Sequence, residues 1–311
     1  MTRFLAAAGL CMLLAAGSAA AAPQITIGIT QNNVGVDSYQ TTYEKAFRAA
    51  AEKAGVKAIM LDAGGDVARQ IAQMQDLVQQ HVDVIIIWPT NGQALVPAVC
   101  KAHRAHIPVV VTNSNIAKEG FPCVAAFSGP DNIAQGKESA EMMCDALHGK
   151  GQIVQISGQP GYTTAIEREK GFEVQLAKEC PGVKIMATQP GDWNREKAQR
   201  VMEDFLVKYP HIDGVYSGDD NMGVGALNAA KAAHRAKGMI FIGATNFAVG
   251  YDAMKAGQYY GSVYQSPVED ARNAVKTAID VVEHKKVPFL NYFPTPKITQ
   301  ANMDKFSRPV F

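Results

Sequence analysis

The chain has 311 residues, with 30 Lys and Arg against 29 Asp and Glu, a formal net charge of +1. A nucleic-acid-binding surface needs a basic patch, and no dense run of Lys or Arg occurs, which argues against that class. The length suits two domains or one large one, and no stretch has the low-complexity composition of a disordered chain.

Taken from the start, Arg3 is followed by an apolar run, Phe4 to Ala16, and then by small residues, Gly17 to Ala22. This is the layout of a cleaved secretory leader over residues 1–22. The run is shorter than the ~18–20 residues that span a bilayer. Cys11 lies inside it rather than at a cleavage point. The mature protein is therefore expected to be exported and soluble. Beyond the leader, short Ile- and Val-rich runs read as buried parallel strands. They are Ile25–Thr30, Ala58–Leu61, Val84–Trp88, Pro108–Thr112 and Cys123–Phe127. A second set follows at Gln152–Ser157, Lys184–Thr188, Gly214–Ser217, Met239–Ala244 and Gly261–Tyr264. Helical patterns separate them, at Thr41–Ala54, Val67–Gln80, Ile133–Leu147, Thr164–Lys178, Arg195–Lys208 and Val268–Glu283. Such alternation predicts an α/β fold with doubly wound parallel sheets.

An internal repeat divides the chain. Met74-x-Asp76 followed by His81-Val82-Asp83-Val84 recurs as Met202-x-Asp204 followed by His211-Ile212-Asp213-Gly214. Gly65-Asp66 matches Gly191-Asp192, and Thr112-Asn113 matches Thr245-Asn246. The same order at a nearly constant offset predicts two similar α/β lobes rather than a solenoid. Open parallel sheets bind ligands beyond the carboxyl ends of their strands. Two lobes face to face would share one cleft there, opening and closing about their connections.

Catalytic signatures are missing. No G-x-S-x-G elbow, phosphate loop or H-E-x-x-H helix occurs. Gly223-Val224-Gly225 lacks the third glycine of a dinucleotide motif and reads as helix packing. Cys100, His103 and His106 recur at three-residue steps, but a metal site would need further ligands and supporting groups. An exposed helical face with one disulfide cysteine accounts for them. Asp219-Asp220 is an adjacent pair, suited to one ligand contact and one helix cap rather than to paired acid and base. Neither a cofactor nor a metal is expected, and no enzymatic group is arranged.

With these residues in view, the mature chain resembles the periplasmic sugar-binding proteins of ABC transporters of the ribose-binding type, with the type I periplasmic binding protein fold. The segments carrying the resemblance are Asn32-Asn33, Pro89-Thr90, Ile107-Pro108-Val109, Glu167-Arg168-x-x-Gly171-Phe172, Gln189-Pro190-Gly191-Asp192-Trp193, Asp219-Asp220-Asn221-Met222 and Gln265-x-Pro267. Repressor sensor domains share the fold but begin with a DNA-binding segment, where this chain has a leader. The resemblance implies ligand roles by position. Asn33 matches a hydrogen-bonding position, and Tyr39 lies near an aromatic one, with Gln40 beside it in a loop about four residues longer than the family's. Arg168 matches a charged donor, Trp193 an aromatic platform, and Gln265 a polar contact at a lobe connection. Ribose binders carry an Asp-Arg pair where this chain has Asn113-Ser114, Asn where it has Asp219, and Asp where it has Thr245-Asn246. These departures argue against ribose itself and leave other pentoses, hexoses and linear polyols. Trp88, at a strand end, reads as structural packing.

The resemblance further implies a hinge of three segments. One lobe takes 24–128 plus 266–290, and the other 129–265 plus 291–311. Of the four cysteines left after export, three pairings are open. Cys100–Cys123 with Cys144–Cys180 keeps each pair within one lobe. The implied protein is a monomeric periplasmic receptor for a small sugar or polyol. Its partners are an inner-membrane ABC permease and a chemoreceptor, with no nucleic acid. The alternative is a sensor for a non-carbohydrate signalling molecule on the same scaffold.

Overall fold

A computed structural model describes residues 24–311. The leader assigned to residues 1–22 lies outside the described residues.

Strands and helices are numbered in chain order. The first sheet contains β1 (Thr26–Gln31), β2 (Lys57–Asp62), β3 (Val84–Trp88), β4 (Val109–Thr112), β5 (Ala126–Gly129) and β11 (Leu290–Tyr292), in the order β11-β5-β4-β3-β1-β2. The second contains β6 (Lys150–Ser157), β7 (Gly182–Pro190), β8 (Gly214–Ser217), β9 (Ile240–Ile242), β10 (Gly261–Val263) and β12 (Lys297–Thr299), in the order β12-β10-β9-β8-β6-β7. Strand for strand the orders match. They differ at one edge, where β11 is parallel to β5 and β12 is antiparallel to β10. The chain folds as two doubly wound α/β lobes.

The unbroken apolar run of β3 follows from burial on both faces. Val84, Ile86 and Trp88 pack on one side against α1 (Ser38–Lys53) and α9 (Pro267–Val282). Ile85 and Ile87 pack on the other against α2 (Val67–Gln79) and α3 (Val96–Arg104). In the second lobe, Val154, Ile156, Val215 and Phe241 face α6 (Arg195–Lys208) and α7 (Asp220–Ala232). Ile153, Tyr216 and Ile242 face α4 (Asn132–Ala146) and α5 (Thr163–Glu179). The remaining helix, α8 (Ala248–Lys255), follows β9.

The repeat has a structural meaning. Asp83, just before β3, accepts the backbone N–H of Thr26 at 2.6 Å. Asp213, just before β8, accepts that of Gln152 at 2.7 Å. Each carboxylate ties the start of one central strand to its neighbour. Met74 and Met202 are both buried, each under its own sheet. Asn113 and Asn246 both adopt left-handed backbone after matching strands, at φ 60° and 57°.

Two local expectations change. The strand placed at Cys123–Phe127 begins at Ala126, because Lys118–Cys123 forms a 3-10 turn. Pro122 lacks an N–H, and Cys123 is held to Cys100 on α3 by a disulfide with Cα atoms 4.9 Å apart. That bond also takes Cys100 out of the Cys100–His103–His106 row, and His106 lies beyond the end of α3 in left-handed backbone. The second disulfide, Cys144–Cys180, joins the ends of α4 and α5 with Cα atoms 5.8 Å apart. Three crossings link the sheets. They run from β5 to α4, from β10 to α9, and from β11 to β12. Asn291 and Tyr292 pair with β5, so the last crossing falls later than the expected boundary after residue 290.

Candidate functional site

A cavity lies at the carboxyl ends of both sheets, where open parallel sheets place ligands. Its volume is about 60 Å³. From the first lobe come Asn32 after β1, Asp37, Tyr39 and Gln40 at the start of α1, Trp88 at the end of β3, and Asn113 after β4. From the second lobe come Tyr162, Thr164 and Arg168 around the start of α5, Trp193 before α6, and Asp219 before α7. Thr245 and Phe247 follow β9, and Gln265 lies on the crossing after β10.

Local rules set several of these side chains. Asp37 is the N-cap of α1 and accepts the N–H of Gln40 at 2.8 Å. Asp219 caps α7 in the same way, accepting Met222 N–H at 2.8 Å. Each cap puts a carboxylate at a helix N-terminus that opens on the cavity. Trp193 follows Asp192, and both have left-handed backbone, at φ 61° and 53°. The indole lies so close to Gly158 that any Cβ there would collide with its ring.

Arg168 is the most committed group. It is only 3% exposed. Nε donates to Gln135 Oε1 at 2.9 Å, and Nη1 to the carbonyl of Gly218 at 2.7 Å and Thr245 Oγ1 at 3.2 Å. Nη2 donates to Gln265 Oε1 at 2.6 Å. All four acceptors are neutral oxygens. Burial lowers its pKa, opposed by the field of Asp219 and neighbouring groups. Gln265 passes the network on, its Nε2 donating to Tyr39 Oη at 2.7 Å. Tyr39 Oη donates to Asp270 Oδ2 at 2.9 Å, and Asn113 Nδ2 donates to the same oxygen at 2.6 Å. Asp270 is thus a buried anchor behind the wall. Burial pushes its carboxyl up to about 7, against the hydrogen bonds it accepts. Burial likewise pushes Asp219 up to about 7 and raises Asp37.

Aromatic faces enclose the rest. Tyr39 meets Trp88 edge-on with ring centroids 6.1 Å apart, and Tyr162 meets Trp193 at 5.9 Å. Tyr162 Oη accepts Asn32 Nδ2 at 2.9 Å and also Trp88 Nε1, so it joins the second lobe to the first.

Of the ten expected ligand residues, the structure brings seven to this cavity: Tyr39, Asn113, Arg168, Trp193, Asp219, Thr245 and Gln265. Asn33 is not among the lining residues, and Asn32 is. Ser114 is fully buried beside the wall, its Oγ accepting the N–H of Thr164 at 3.2 Å. Asn246 is also fully buried, its backbone N–H donating to Ser262 Oγ at 3.0 Å. Trp88, read as packing alone, both packs in the core and lines the cavity. Asp37, Tyr162, Thr164 and Phe247 were not singled out. Asp37 had a visible signal, a cap residue before a helical run that mirrors Asp219. Tyr162 had none, because its role depends on a contact from 130 positions away.

Comparisons with known proteins agree with this geometry. The family model described as a periplasmic binding protein domain matches residues 27–286. The xylitol-binding protein of Mycolicibacterium smegmatis is 31% identical over 89% of this chain and 75% of its own length. The ribose import binding protein of Haemophilus influenzae is 28% identical over 92% of this chain and 96% of its own. The crystal structure of a galactofuranose-binding protein superimposes with a TM-score of 0.84 at 26% identity, covering 90% of this chain and 96% of that one. These relatives are solute-binding proteins rather than enzymes. The chain belongs to the periplasmic binding protein family, in its ribose-binding type.

Proposed function

We propose that this protein captures a sugar or polyol in the cavity between its lobes and delivers it to the permease of an ABC transporter. The observation that carries the reading is a single small cavity walled from both lobes by amide, hydroxyl, charged and aromatic groups together. A polyol offers hydroxyls that both donate and accept, and Asn, Gln and Thr answer both. The faces of Trp193, Trp88 and Phe247 suit the apolar C–H surface of such a molecule. A solute lacking one hydroxyl leaves a buried wall group unpaired and is rejected. The ten residues Asn33, Tyr39, Asn113, Ser114, Arg168, Trp193, Asp219, Thr245, Asn246 and Gln265 remain our expected set, with Asn32, Asp37, Gln40 and Tyr162 added on their position in the wall. Closure about the three crossings traps the solute, and the closed monomer is the form that meets the permease or a chemoreceptor. Residues 1–22 act as the export leader to the periplasm.

The test is a thermal-shift screen of ligand-free mature protein against pentoses, hexoses, polyols, amino acids and nucleosides. A solute that binds only the folded form raises the melting temperature by mass action. A selective rise with one sugar or polyol, lost in Arg168→Ala and Trp193→Ala, is the expected result. A rise with an amino acid or nucleoside alone would replace this reading with a sensor for a non-carbohydrate molecule.

A further inference from the structure

We infer that the solute carries a protonated amine besides its hydroxyls, and that Asp37 and Asp219 hold this cation from opposite lobes. The inference rests on the solute-binding reading above and narrows the class to aminated sugars and polyols.

The charges of the cavity wall do not balance. Asp37, Asp219 and Arg168 are its charged lining residues, two acids and one base. Arg168 spends its hydrogen bonds on four neutral oxygens and forms no ion pair among the described residues. Neither carboxylate therefore has an ion-pair partner among the described residues, and the fields of Arg168 and Arg195 offset the burial of Asp219 only in part. Asp37 and Asp219 each use one oxygen as a helix cap, and no side chain among the described residues donates to the second oxygen of either. Asp219 is only 3% exposed. A buried carboxylate left without a countercharge is costly.

An independent observation points the same way. Asn32, a residue of the same wall, is only 7% exposed, and its Oδ1 has no donor among the described residues. The residues of the wall thus carry more acceptor capacity than the described donors satisfy. A neutral hydroxyl brings one proton to such a set. An ammonium brings three donors and a full charge. The aromatic rings of Trp193, Trp88 and Phe247 add faces that attract a cation. Burial, and then the facing Asp37, raise the Asp219 carboxyl. The two acids therefore oppose each other across the cavity until a cation lies between them.

The experiment is titration calorimetry on the mature protein at about neutral pH, where both amine and carboxylates ionise once paired. The probes are matched pairs: glucose with glucosamine, galactose with galactosamine, inositol with an amino-deoxyinositol, and xylitol with 1-amino-1-deoxyxylitol. In at least one pair the aminated member should bind at least about tenfold more tightly, the scale of one charge-assisted hydrogen bond. Asp37→Asn and Asp219→Asn should each shrink that ratio towards unity. Asn is as good an N-cap as Asp, so both variants keep α1 and α7, and unchanged circular dichroism verifies it. Equal or tighter binding of the neutral members overturns the inference while leaving the polyol reading intact. So does a preference that survives both substitutions. Silence from every probe brings down the solute-binding reading and this inference with it.

Discussion

Asp270 accepts from Tyr39 and Asn113, two residues of the cavity wall, yet does not reach the cavity itself. Its carboxyl is fully buried, and burial sets its pKa at about 7, above the ordinary 3.8. The folded state therefore holds a proton that the unfolded state has released between about pH 4 and 7. Native stability is lost across that window as pH rises, and no more is lost above it. Asp270→Asn removes this titration while an amide oxygen can still accept from Tyr39 and Asn113. Denaturant melts of both proteins at about pH 4.5 and 7.5 should show the variant gaining on the wild type at the higher pH. A difference that stays constant with pH would mean the carboxyl is ionised throughout. Asp219 shifts in the same direction for the same cause, so Asp219→Asn adds to the effect.

Between elements, backbone contact decides what the helices tolerate. Gly136 on α4 and Gly171 on α5 lie at their crossing, and a Cβ on either would run into a carbonyl oxygen of the other helix. Gly171→Ala adds about 1 kcal/mol of helix propensity yet destabilises, because overpacking costs about 1–3 kcal/mol and the obstacle is rigid backbone. Its melting temperature should fall, and a rise would mean the helices part without penalty. The same pair is tied at its ends by Cys144–Cys180, which closes a span of 36 positions. Replacing both cysteines by Ala should cost about 3–4 kcal/mol in denaturant unfolding. A variant as stable as the oxidised parent would show the bond to be dispensable. The elements themselves were largely legible. α6 was placed to the residue and α2 to within one, since an Asx cap precedes each and the apolar period is clear. The edge strands β11 and β12 escaped because each has three residues among prolines, too short to show any period. Site residues after strands were legible to within one position. Asn32 and Asn33 are chemically identical neighbours, and only the turn after β1 decides which one meets the cavity. The repeat disclosed both lobes, but Asn246 shows its limit. It shares the left-handed backbone of Asn113 and yet does not line the cavity.

Across the whole molecule, the two lobes meet through few polar contacts, and Tyr162 concentrates them. From the second lobe its hydroxyl accepts Asn32 at 2.9 Å and Trp88, both in the first lobe. Gln265 Nε2 donates to Tyr39 Oη at 2.7 Å and Asn132 Nδ2 to the Asn113 carbonyl at 3.2 Å, Ser114 and Thr164 add one bond at 3.2 Å, and Gly92 donates to the carbonyl of Gly161 at 3.4 Å. Tyr162→Phe keeps the ring against Trp193 but strips the acceptor from two buried donors. Separation of the lobes would let water satisfy both donors, so the substitution favours the open form rather than unfolding. Each lost bond is worth about 1 kcal/mol net, and the unpaired donors add to that. When only a fraction of molecules is competent to bind, the apparent affinity falls by that fraction. The expected outcome is a larger radius of gyration in solution scattering without solute and an affinity weaker by about tenfold or more. Saturating solute should restore the compact form. A lower melting temperature with unchanged scattering and affinity would instead confine Tyr162 to packing. Two donors from one lobe converging on a single oxygen of the other make the closed state sensitive to that one atom.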